Sequence, residues 1–174
     1  MGAPQLPIDV NEETGTWMTD GLPMIYVPQH FFVNNHKAVE EALGVEKYRE
    51  ILNAAGYKSA YYWCEKEAAT HGLKGVAVFE HYLKRLSQRG WGLFTLEAID
   101  PEAGTACIRL DHSAFVQQYG SDAGRRVCYM FAGWFAGAME WLGDSAGHSL
   151  KVGCEETRCA CEGEQNHCVF EVRP

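Results

Sequence analysis

The last part of the chain concentrates residue types that bind metals or carry out thiol chemistry. Its final 21 residues contain four of the seven cysteines and one histidine, namely Cys154, Cys159, Cys161, Cys168 and His167. Zinc prefers thiolate, imidazole and carboxylate ligands, usually four of them in a tetrahedron. An odd number of cysteines without a recognisable export signal argues against a disulfide framework. We therefore predict metal or redox chemistry at this end of the chain.

The spacing within this segment favours a zinc site. Glu156 and Cys159 are three residues apart, and Cys168 follows nine residues later, beyond a glycine-containing loop. A β-hairpin brings such residues together, and the fourth ligand must then come from elsewhere. Cys128, on the most apolar predicted helix, is the natural candidate. Three further residues are alternates: Cys154, Cys161 and His167. Buried thiols without a metal, or a redox pair, are the competing interpretations.

Charge and composition exclude several classes of function. The 174 residues carry a net charge of −8, with 23 acidic and 15 basic side chains. Nucleic-acid affinity depends on clustered Lys and Arg, so we expect no nucleic-acid partner. The most apolar run, residues 127–142, contains Glu140 and is shorter than the roughly 20 residues of a membrane span, so we expect no membrane partner. The first twenty residues lack the features of a secretory signal, which predicts a cytoplasmic location.

Hydrophobic periodicity and helix-ending glycines predict the elements that position these residues. Helices are predicted at 29–43, 45–55, 59–72, 75–89, after Ser113, and at 125–142. Strands are predicted at 93–99, 105–110, 148–153 and 168–172, and an extended segment at 23–28. Small residues recur one turn apart in the last helix, where we expect another backbone to approach closely: Ala132, Gly133, Ala136 and Gly137.

The order of these elements is helices, hairpin, helix and hairpin. It favours an α+β fold, in which helices pack on an antiparallel sheet of about four strands and a long buried helix lies in the C-terminal half. Residues 1–22 show no periodicity and are predicted to form an N-terminal arm or tail. Residues 23–174 are predicted to form a single domain. The chain contains neither G-x-G-x-x-G nor a P-loop motif, so nothing in it predicts a nucleotide site.

Two segments resemble a known family. The central helix reads Val127-Cys-Tyr-Met-Phe-Ala-Gly-Trp-Phe-Ala-Gly137, and the C-terminal part reads Glu156-Thr-Arg-Cys159, then Gly163, then Cys168-Val-Phe-Glu-Val172. In these motifs the chain is similar to the 4-vinyl reductase domain family, over about residues 45–172. The similarity continues more loosely through 56–60, 90–92 and 110–113.

The resemblance implies a structural zinc ion held by Cys128, Glu156, Cys159 and Cys168. It also implies a fold related to that of vesicle-tethering subunits. Related domains sense small aromatic molecules, so the expected partner is a small apolar or aromatic molecule, bound by a homodimer. For its contacts we predict, from the aromatic residues around the expected core, His81, Trp91, Tyr129 and Trp134.

Three functions follow from these observations. The first is a small-molecule-binding domain, acting as a sensor or accessory protein, with a structural zinc site. The second, implied by the family name, is an enzyme or accessory factor in reduction of a vinyl group of a tetrapyrrole or similar substrate. The absence of a nucleotide or flavin motif makes the catalytic alternative the weaker one. The third is an assembly or scaffold protein.

Overall fold

Two antiparallel sheets and five α-helices make up residues 6–174, the part of the chain that the computed structural model describes. The elements are, in chain order, β1 (Asp9–Asn11), β2 (Thr16–Thr19), β3 (Leu22–Met24), α1 (Gln29–Leu43), α2 (Val45–His71), α3 (Val76–Gln88), β4 (Leu93–Asp100), β5 (Thr105–Asp111), α4 (Ala114–Tyr119), α5 (Met130–Ser145), β6 (Gly153–Arg158) and β7 (His167–Arg173). A 3₁₀ turn over Ala160–Glu162 separates β6 from β7. The predicted α+β class with a four-stranded antiparallel sheet is confirmed.

The four-stranded sheet has the order β4-β5-β7-β6, and all of its pairs are antiparallel. Alternate residues of β5 are buried, because successive side chains of a strand point to opposite faces. The buried face packs on α5. Phe170 of β7 lies 5.1 Å from Phe135 and 6.2 Å from Phe131, measured between ring centroids. The central helix is thus part of the core, as its apolar sequence predicts.

Helices α2 and α5 pack closely through glycines. A methyl group added at Gly133 would collide with the backbone of Asn53, and one added at Gly137 would collide with the backbone of Tyr57. The predicted close approach of another backbone to the small residues of α5 is therefore confirmed, and α2 supplies that backbone.

One boundary prediction is wrong within α2. Gly56 was expected to end a helix over 45–55 and to separate it from a helix over 59–72, but one helix spans Val45–His71. The indole of Trp134 occupies the place where a side chain at Gly56 would project. An interior glycine costs a helix about 1 kcal/mol relative to alanine. Packing against Trp134 offsets this cost, so the glycine marks a helix contact rather than a helix end.

Two further boundaries near the C-terminus are wrong. The helix predicted at 125–142 begins only at Met130, because the backbone N–H of Cys128 donates to the Glu156 carboxylate and Arg125 pairs with Glu40. The strand predicted at 148–153 instead spans Gly153–Arg158. It is an edge strand, so its solvent-facing polar residues conceal the strand pattern.

The N-terminal residues carry more structure than an arm without periodicity suggests. Strands β1, β2 and β3 form a small antiparallel sheet in that order. Of the extended segment predicted at 23–28, only residues 23 and 24 belong to a strand. The division into an arm over 1–22 and a domain over 23–174 stays a prediction, and residues 1–5 lie outside the described part. Among residues 6–174, none of the helices combines the length and the apolarity needed to cross a bilayer.

Candidate metal centre

The four residues predicted as zinc ligands meet where the last two strands approach the start of α5. Cys128 lies two residues before α5, Glu156 lies on β6, Cys159 directly follows β6, and Cys168 lies on β7. In the pairing of β6 with β7, Glu156 lies opposite Phe170, and the register shifts between Glu156 and Arg158. All four predicted ligands are buried, with relative exposures of 0 to 3%.

The donor atoms of these residues have nearly the spacing of a tetrahedral site. Cys128 Sγ lies 3.6 Å from Cys168 Sγ, which lies 3.7 Å from Cys159 Sγ. One donor atom from each residue, including Glu156, lies within 4.8 Å of the other three. In a zinc tetrahedron with Zn–S bonds of about 2.3 Å, neighbouring sulfur atoms are about 3.8 Å apart. The arrangement therefore fits zinc without a change of fold.

One oxygen of the Glu156 carboxylate has no partner within residues 6–174. Its Oε2 accepts a hydrogen bond of 2.9 Å from the backbone N–H of Cys128. Its Oε1 is buried and has no hydrogen-bond partner among the described residues. Leaving a buried acceptor unsatisfied costs roughly 1–3 kcal/mol. A cation bound between the thiols would give this oxygen a partner.

The protons on the thiols and the carboxyl of this cluster are the ones that a bound cation would replace. Hydrogen bonds from the Cys128 and Cys168 thiols hold the pKa of Cys159 well below its usual range. Burial raises the pKa of the Cys128 thiol and of the Glu156 carboxyl well above their usual values. Metal binding releases the protons of such groups, because the metal-bound form is the deprotonated one.

Neighbouring groups fix the orientation of the sulfur atoms. The Ser113 hydroxyl lies 3.1 Å from Cys128 Sγ, and the backbone N–H of Ala160 donates to Cys168 Sγ at 3.5 Å. The backbone N–H of Cys159 donates to the Glu162 carboxylate at 2.8 Å. Contacts of this kind set ligand geometry in metal sites.

The three alternates lie beside this group rather than within it. Cys161 is buried in the 3₁₀ turn, where burial and the neighbouring Cys159 raise its pKa to about 12. Cys154 lies on β6 opposite Val172. His167 Nδ1 lies 3.1 Å from the side-chain oxygen of the adjacent Asn166. Among residues 6–174, the group of mutually close donors at this end of the chain consists of the four predicted ligands.

The residues predicted to contact a small molecule are only partly brought together. Trp91 and Trp134 meet edge-to-face, with ring centroids 5.5 Å apart. His81 and Tyr129 have separate partners. His81 Nε2 lies 2.8 Å from Glu67 Oε2, and Tyr129 belongs to a different cluster.

That cluster surrounds the buried carboxylate of Glu40 and was not predicted. Tyr129 and Tyr119 donate their hydroxyls to it at 2.6 and 2.7 Å, and Arg125 Nη2 donates at 2.6 Å. Burial alone raises the pKa of Glu40, but these hydrogen bonds outweigh it and lower the pKa to about 2. The partners are 79 to 89 residues away in sequence, so local spacing carried no signal for them.

A groove of about 540 Å³ lies between the N-terminal segment and the end of α3. Its lining is mainly apolar and includes Ile8, Trp17, Met24, Ile25, Tyr26 and Val27. An adjoining groove of about 170 Å³ shares several of these residues and reaches Trp91. Of the four predicted ligand residues, Trp91 therefore borders the smaller of these two grooves, while Tyr129 lines a separate, smaller space of about 40 Å³.

A comparison with known families matches residues 2–97 to the family described as Domain of unknown function (DUF5943). The match spans more than half of the chain. The chain belongs to the DUF5943 family. The matched part of this DUF5943 chain contains the N-terminal sheet, the first three helices and the start of β4, whereas the cysteine cluster lies outside it. No curated protein matches the chain.

Solved structures that share the fold of this DUF5943 protein include the following two. One is the phenol-responsive sensory domain of the transcription activator PoxR with phenol, at a TM-score of 0.78 and 19% identity, covering 96% of this chain and 84% of that one. The other is trafficking protein particle complex subunit 3 from Naegleria fowleri, covalently bound to palmitic acid. Its TM-score is 0.55 at 16% identity, covering 83% of this chain and 93% of that one. The predicted relation to the fold of vesicle-tethering subunits is confirmed.

Proposed function

We propose that this chain is a small-molecule-sensing domain with a structural zinc ion bound by Cys128, Glu156, Cys159 and Cys168. The observation that carries the zinc proposal is the buried group of four donors on a β-hairpin and a helix start. The observation that supports sensing is the likeness in fold to a phenol-responsive domain over 96% of the chain.

The donor set favours a structural role for the ion. Three thiolates and a carboxylate complete a tetrahedron and leave no open position for a substrate, whereas catalytic zinc sites retain one. When bound, zinc would supply a cross-link between the segment before α5 and the β6–β7 hairpin. The chain's own residues orient the ligands, since Ser113 contacts Cys128 and Glu162 anchors the backbone of Cys159.

Metal analysis tests the zinc proposal directly. The chain, purified without chelators, is expected to contain about one tightly held zinc ion that resists dialysis. Cys107→Ser serves as the matched control for substitutions in the cluster, because Cys107 lies on β5 outside the four-donor group. Absence of zinc from chain that is folded and reduced would overturn the proposal.

For the small molecule, the proposed site is the pair of adjoining grooves along the segment from Met24 to Val27, the smaller of which, of about 170 Å³, is bordered by Trp91. The larger groove has a volume of about 540 Å³, in the range of roughly 300–1,000 Å³ typical of ligand pockets. Aromatic side chains form offset or edge-to-face contacts with aromatic ligands, as they do with each other. Of the other predicted contacts, Tyr129 is bonded to Glu40, His81 contacts Glu67, and Trp134 packs on Trp91.

Titration with phenol, followed by calorimetry and thermal unfolding, tests this part. A ligand at 100 times its Kd raises the free energy of unfolding by about 2.7 kcal/mol, which should be visible as a higher Tm. Tyr26→Ser is expected to weaken binding at least several-fold with little effect on folding, since Tyr26 is 84% exposed. Tyr62→Ser, an exposed aromatic on α2, is the control. Failure of a panel of phenols and other small aromatics to bind would overturn sensing, whereas equal binding by both variants would overturn only the groove.

The remaining predictions belong to the same proposal. We place residues 23–174 in a single 4-vinyl-reductase-like domain preceded by an arm, and we expect a cytoplasmic homodimer. Its thiol cluster suits a reducing compartment, because oxidation would remove the ligands. Light scattering in solution tests the dimer. An assembly role is the second candidate, and a contiguous exposed apolar stretch favours it: Ile25, Tyr26 and Val27.

A further inference from the structure

A second group of metal-binding side chains lies outside the cysteine cluster. It consists of Asp20 in the β2–β3 turn, Glu67 and His71 in the last turns of α2, and His81 on α3. One donor atom from each of these residues lies within 4.8 Å of the other three. The group shares no residue with the cysteine site.

Local structure explains how these four residues meet. Glu67 and His71 are four residues apart on one helix and therefore lie on the same face. The connection between α2 and α3 is four residues long, which returns His81 to that face. Asp20 has φ of 51°, in the left-handed region that non-glycine residues adopt infrequently. Arg85 Nη2 donates to Asp20 Oδ1 at 2.9 Å and holds the turn against α3.

The distances between donor atoms fit a shared metal ion. Glu67 Oε2 lies 2.8 Å from His81 Nε2 and 3.3 Å from His71 Nε2, and His71 Nε2 lies 3.4 Å from Asp20 Oδ1. With metal–ligand bonds of about 2.0–2.2 Å, adjacent ligands at octahedral or tetrahedral angles are roughly 2.8–3.6 Å apart. Each measured separation falls within that interval.

Unpartnered polar atoms provide an independent indication of a missing ligand. Glu67 Oε1 and Asp20 Oδ2 are buried without a hydrogen-bond partner, and the two side chains are only 0 and 4% exposed. Among residues 6–174, eleven buried side-chain polar atoms lack a partner, and six of them belong to residues in or beside this group: Asp20, Trp63, Glu67, Arg85 and Arg89. Buried carboxylate oxygens are ordinarily satisfied, so the unpartnered oxygens of Asp20 and Glu67 point to an absent electrophile. The other four atoms are N–H donors, which a cation does not satisfy.

We propose that Asp20, Glu67, His71 and His81 form a second metal site, for a divalent first-row transition ion such as Zn²⁺, Co²⁺ or Mn²⁺. Two imidazoles with two carboxylates suit these ions, whereas sites for Ca²⁺ or Mg²⁺ are built from oxygen ligands alone. His71 gives the ion access from solvent, since its side chain is 32% exposed. The bound ion joins the turn of the N-terminal sheet to helices α2 and α3.

Neighbouring cations set the order in which the two sites fill. Arg85 contacts Asp20, and the half-buried guanidinium of Arg89 lies over the ring of Trp63, which in turn stacks on His81. These guanidinium groups already balance the two carboxylates, so they oppose a divalent ion. Among residues 6–174, no arginine hydrogen-bonds to a donor atom of the cysteine site. We expect the cysteine site to bind metal first.

Cobalt titration of the full, metal-free, reduced chain tests the proposal. The first equivalent is expected to show thiolate-to-cobalt charge transfer, and a second, weaker equivalent is expected to add cobalt d–d absorption without that signature. His71→Gln and His81→Gln should each abolish or strongly weaken the second equivalent and leave the first unchanged. His148→Gln, at an exposed histidine outside the group, should retain both.

A measurement on the unaltered chain guards against a variant that fails to fold. When Mn²⁺ is added to the unaltered chain with zinc bound at its cysteine site, the NMR signals of His71, His81 and Trp63 should broaden at lower Mn²⁺ concentration than those of other residues. Binding of one equivalent only, with thiolate charge transfer, would overturn the second site and leave the cysteine site standing. Two equivalents in both histidine variants, or manganese broadening elsewhere, would also overturn it.

Discussion

Within the cysteine cluster, the neighbours of Cys159 favour its thiolate form. The thiols of Cys128 and Cys168 hydrogen-bond to it, and these bonds hold its pKa far below that of an ordinary thiol. Its backbone N–H is anchored by Glu162, which fixes the position of the sulfur. The sulfur atoms of Cys128 and Cys168 lie within 4.8 Å of that of Cys159, close enough to share an ion with it.

Replacement of this thiolate should remove the metal. In Cys159→Ser the hydroxyl is a far weaker zinc ligand than a thiolate, so zinc content is expected to fall from about one ion per chain to nearly none. The free energy of unfolding should decrease by several kcal/mol, because metal binding contributes directly to folding. Elemental analysis and urea unfolding measure both effects. Cys107→Ser should match the unaltered chain, and equal zinc content in the two variants would contradict the assignment.

Residue types and spacing predicted that Cys128, Glu156, Cys159 and Cys168 lie close together, because zinc chemistry restricts the choice to a few side chains. The same reasoning could not find the carboxylate of Glu40, whose partners Tyr119, Tyr129 and Arg125 come from distant segments. It also could not show that Tyr129 donates its hydroxyl to Glu40. Composition suggests aromatic contacts, but only tertiary packing decides their partners.

At the scale of elements, the close packing of α2 against α5 depends on glycines, which place no side chain between the two backbones. Gly133 contacts the backbone of Asn53, where a Cβ atom has no room. Gly133→Ala gains about 1 kcal/mol of helix propensity but forces the helices apart, and overpacking of this kind typically costs about 1–3 kcal/mol. We expect a net loss of stability in denaturant unfolding. Gly153→Ala, where a Cβ atom meets open space, is the control, and a stabilised Gly133→Ala variant would contradict this packing.

Helix α1 is attached to the rest of the molecule through a buried histidine, which makes its attachment sensitive to pH. Burial lowers the pKa of His36 from 6.5 to about 4, against the attraction of Glu40. Between these two pKa values, His36 binds a proton in the unfolded chain but not in the folded chain. Stability should decrease as pH falls from about 6.5 to about 4, by about 3 kcal/mol at about 1.4 kcal/mol for each pKa unit. The lowered pKa of Glu40 acts in the same direction, between about 4.5 and 2.

Comparison of variants separates the contribution of His36 to the pH dependence of stability from the contribution of the thiols. Neither ring nitrogen of His36 has a hydrogen-bond partner among residues 6–174, and the imidazole lies among the rings of Tyr48, Phe115 and Tyr129, so phenylalanine is a reasonable replacement. In His36→Phe the loss of stability between pH 7 and pH 4.5 should be smaller than in the unaltered chain. His148→Gln should retain the full dependence. Identical pH profiles for His36→Phe and the unaltered chain would show that His36 is not the group responsible.

Element boundaries were predictable where a pattern and an end signal coincide, as in α1, which spans Gln29–Leu43 and is followed by Gly44. They were not predictable where tertiary contacts override the local signal. Gly56 is interior to α2 because Trp134 packs on it, and residues 125–129 stay outside α5 because Glu156 and Glu40 bind them. Such contacts join residues tens of positions apart, which a single sequence does not reveal.

For the whole molecule, the two proposed metal sites connect different layers. The cysteine site joins the start of α5 to β6 and β7, while Asp20, Glu67, His71 and His81 join the small N-terminal sheet to α2 and α3. The family match covers the second group and not the first. Stability should therefore depend on metal in two separate regions rather than uniformly.

Hydrogen exchange with and without a chelator makes this expectation measurable. Amide protons open locally with free energies that reflect the contacts of each region. Removal of the more weakly held ion by a mild chelator should accelerate exchange around the β2–β3 turn and the end of α2. A strong chelator should then accelerate exchange in β6, β7 and residues 124–131. In Cys159→Ser the region around β6, β7 and residues 124–131 should exchange rapidly even before a chelator is added. The region around the β2–β3 turn and the end of α2 should still respond to the mild chelator. A single response spread over the entire chain would contradict two independent sites, because each ion is expected to stabilise only the elements that it joins.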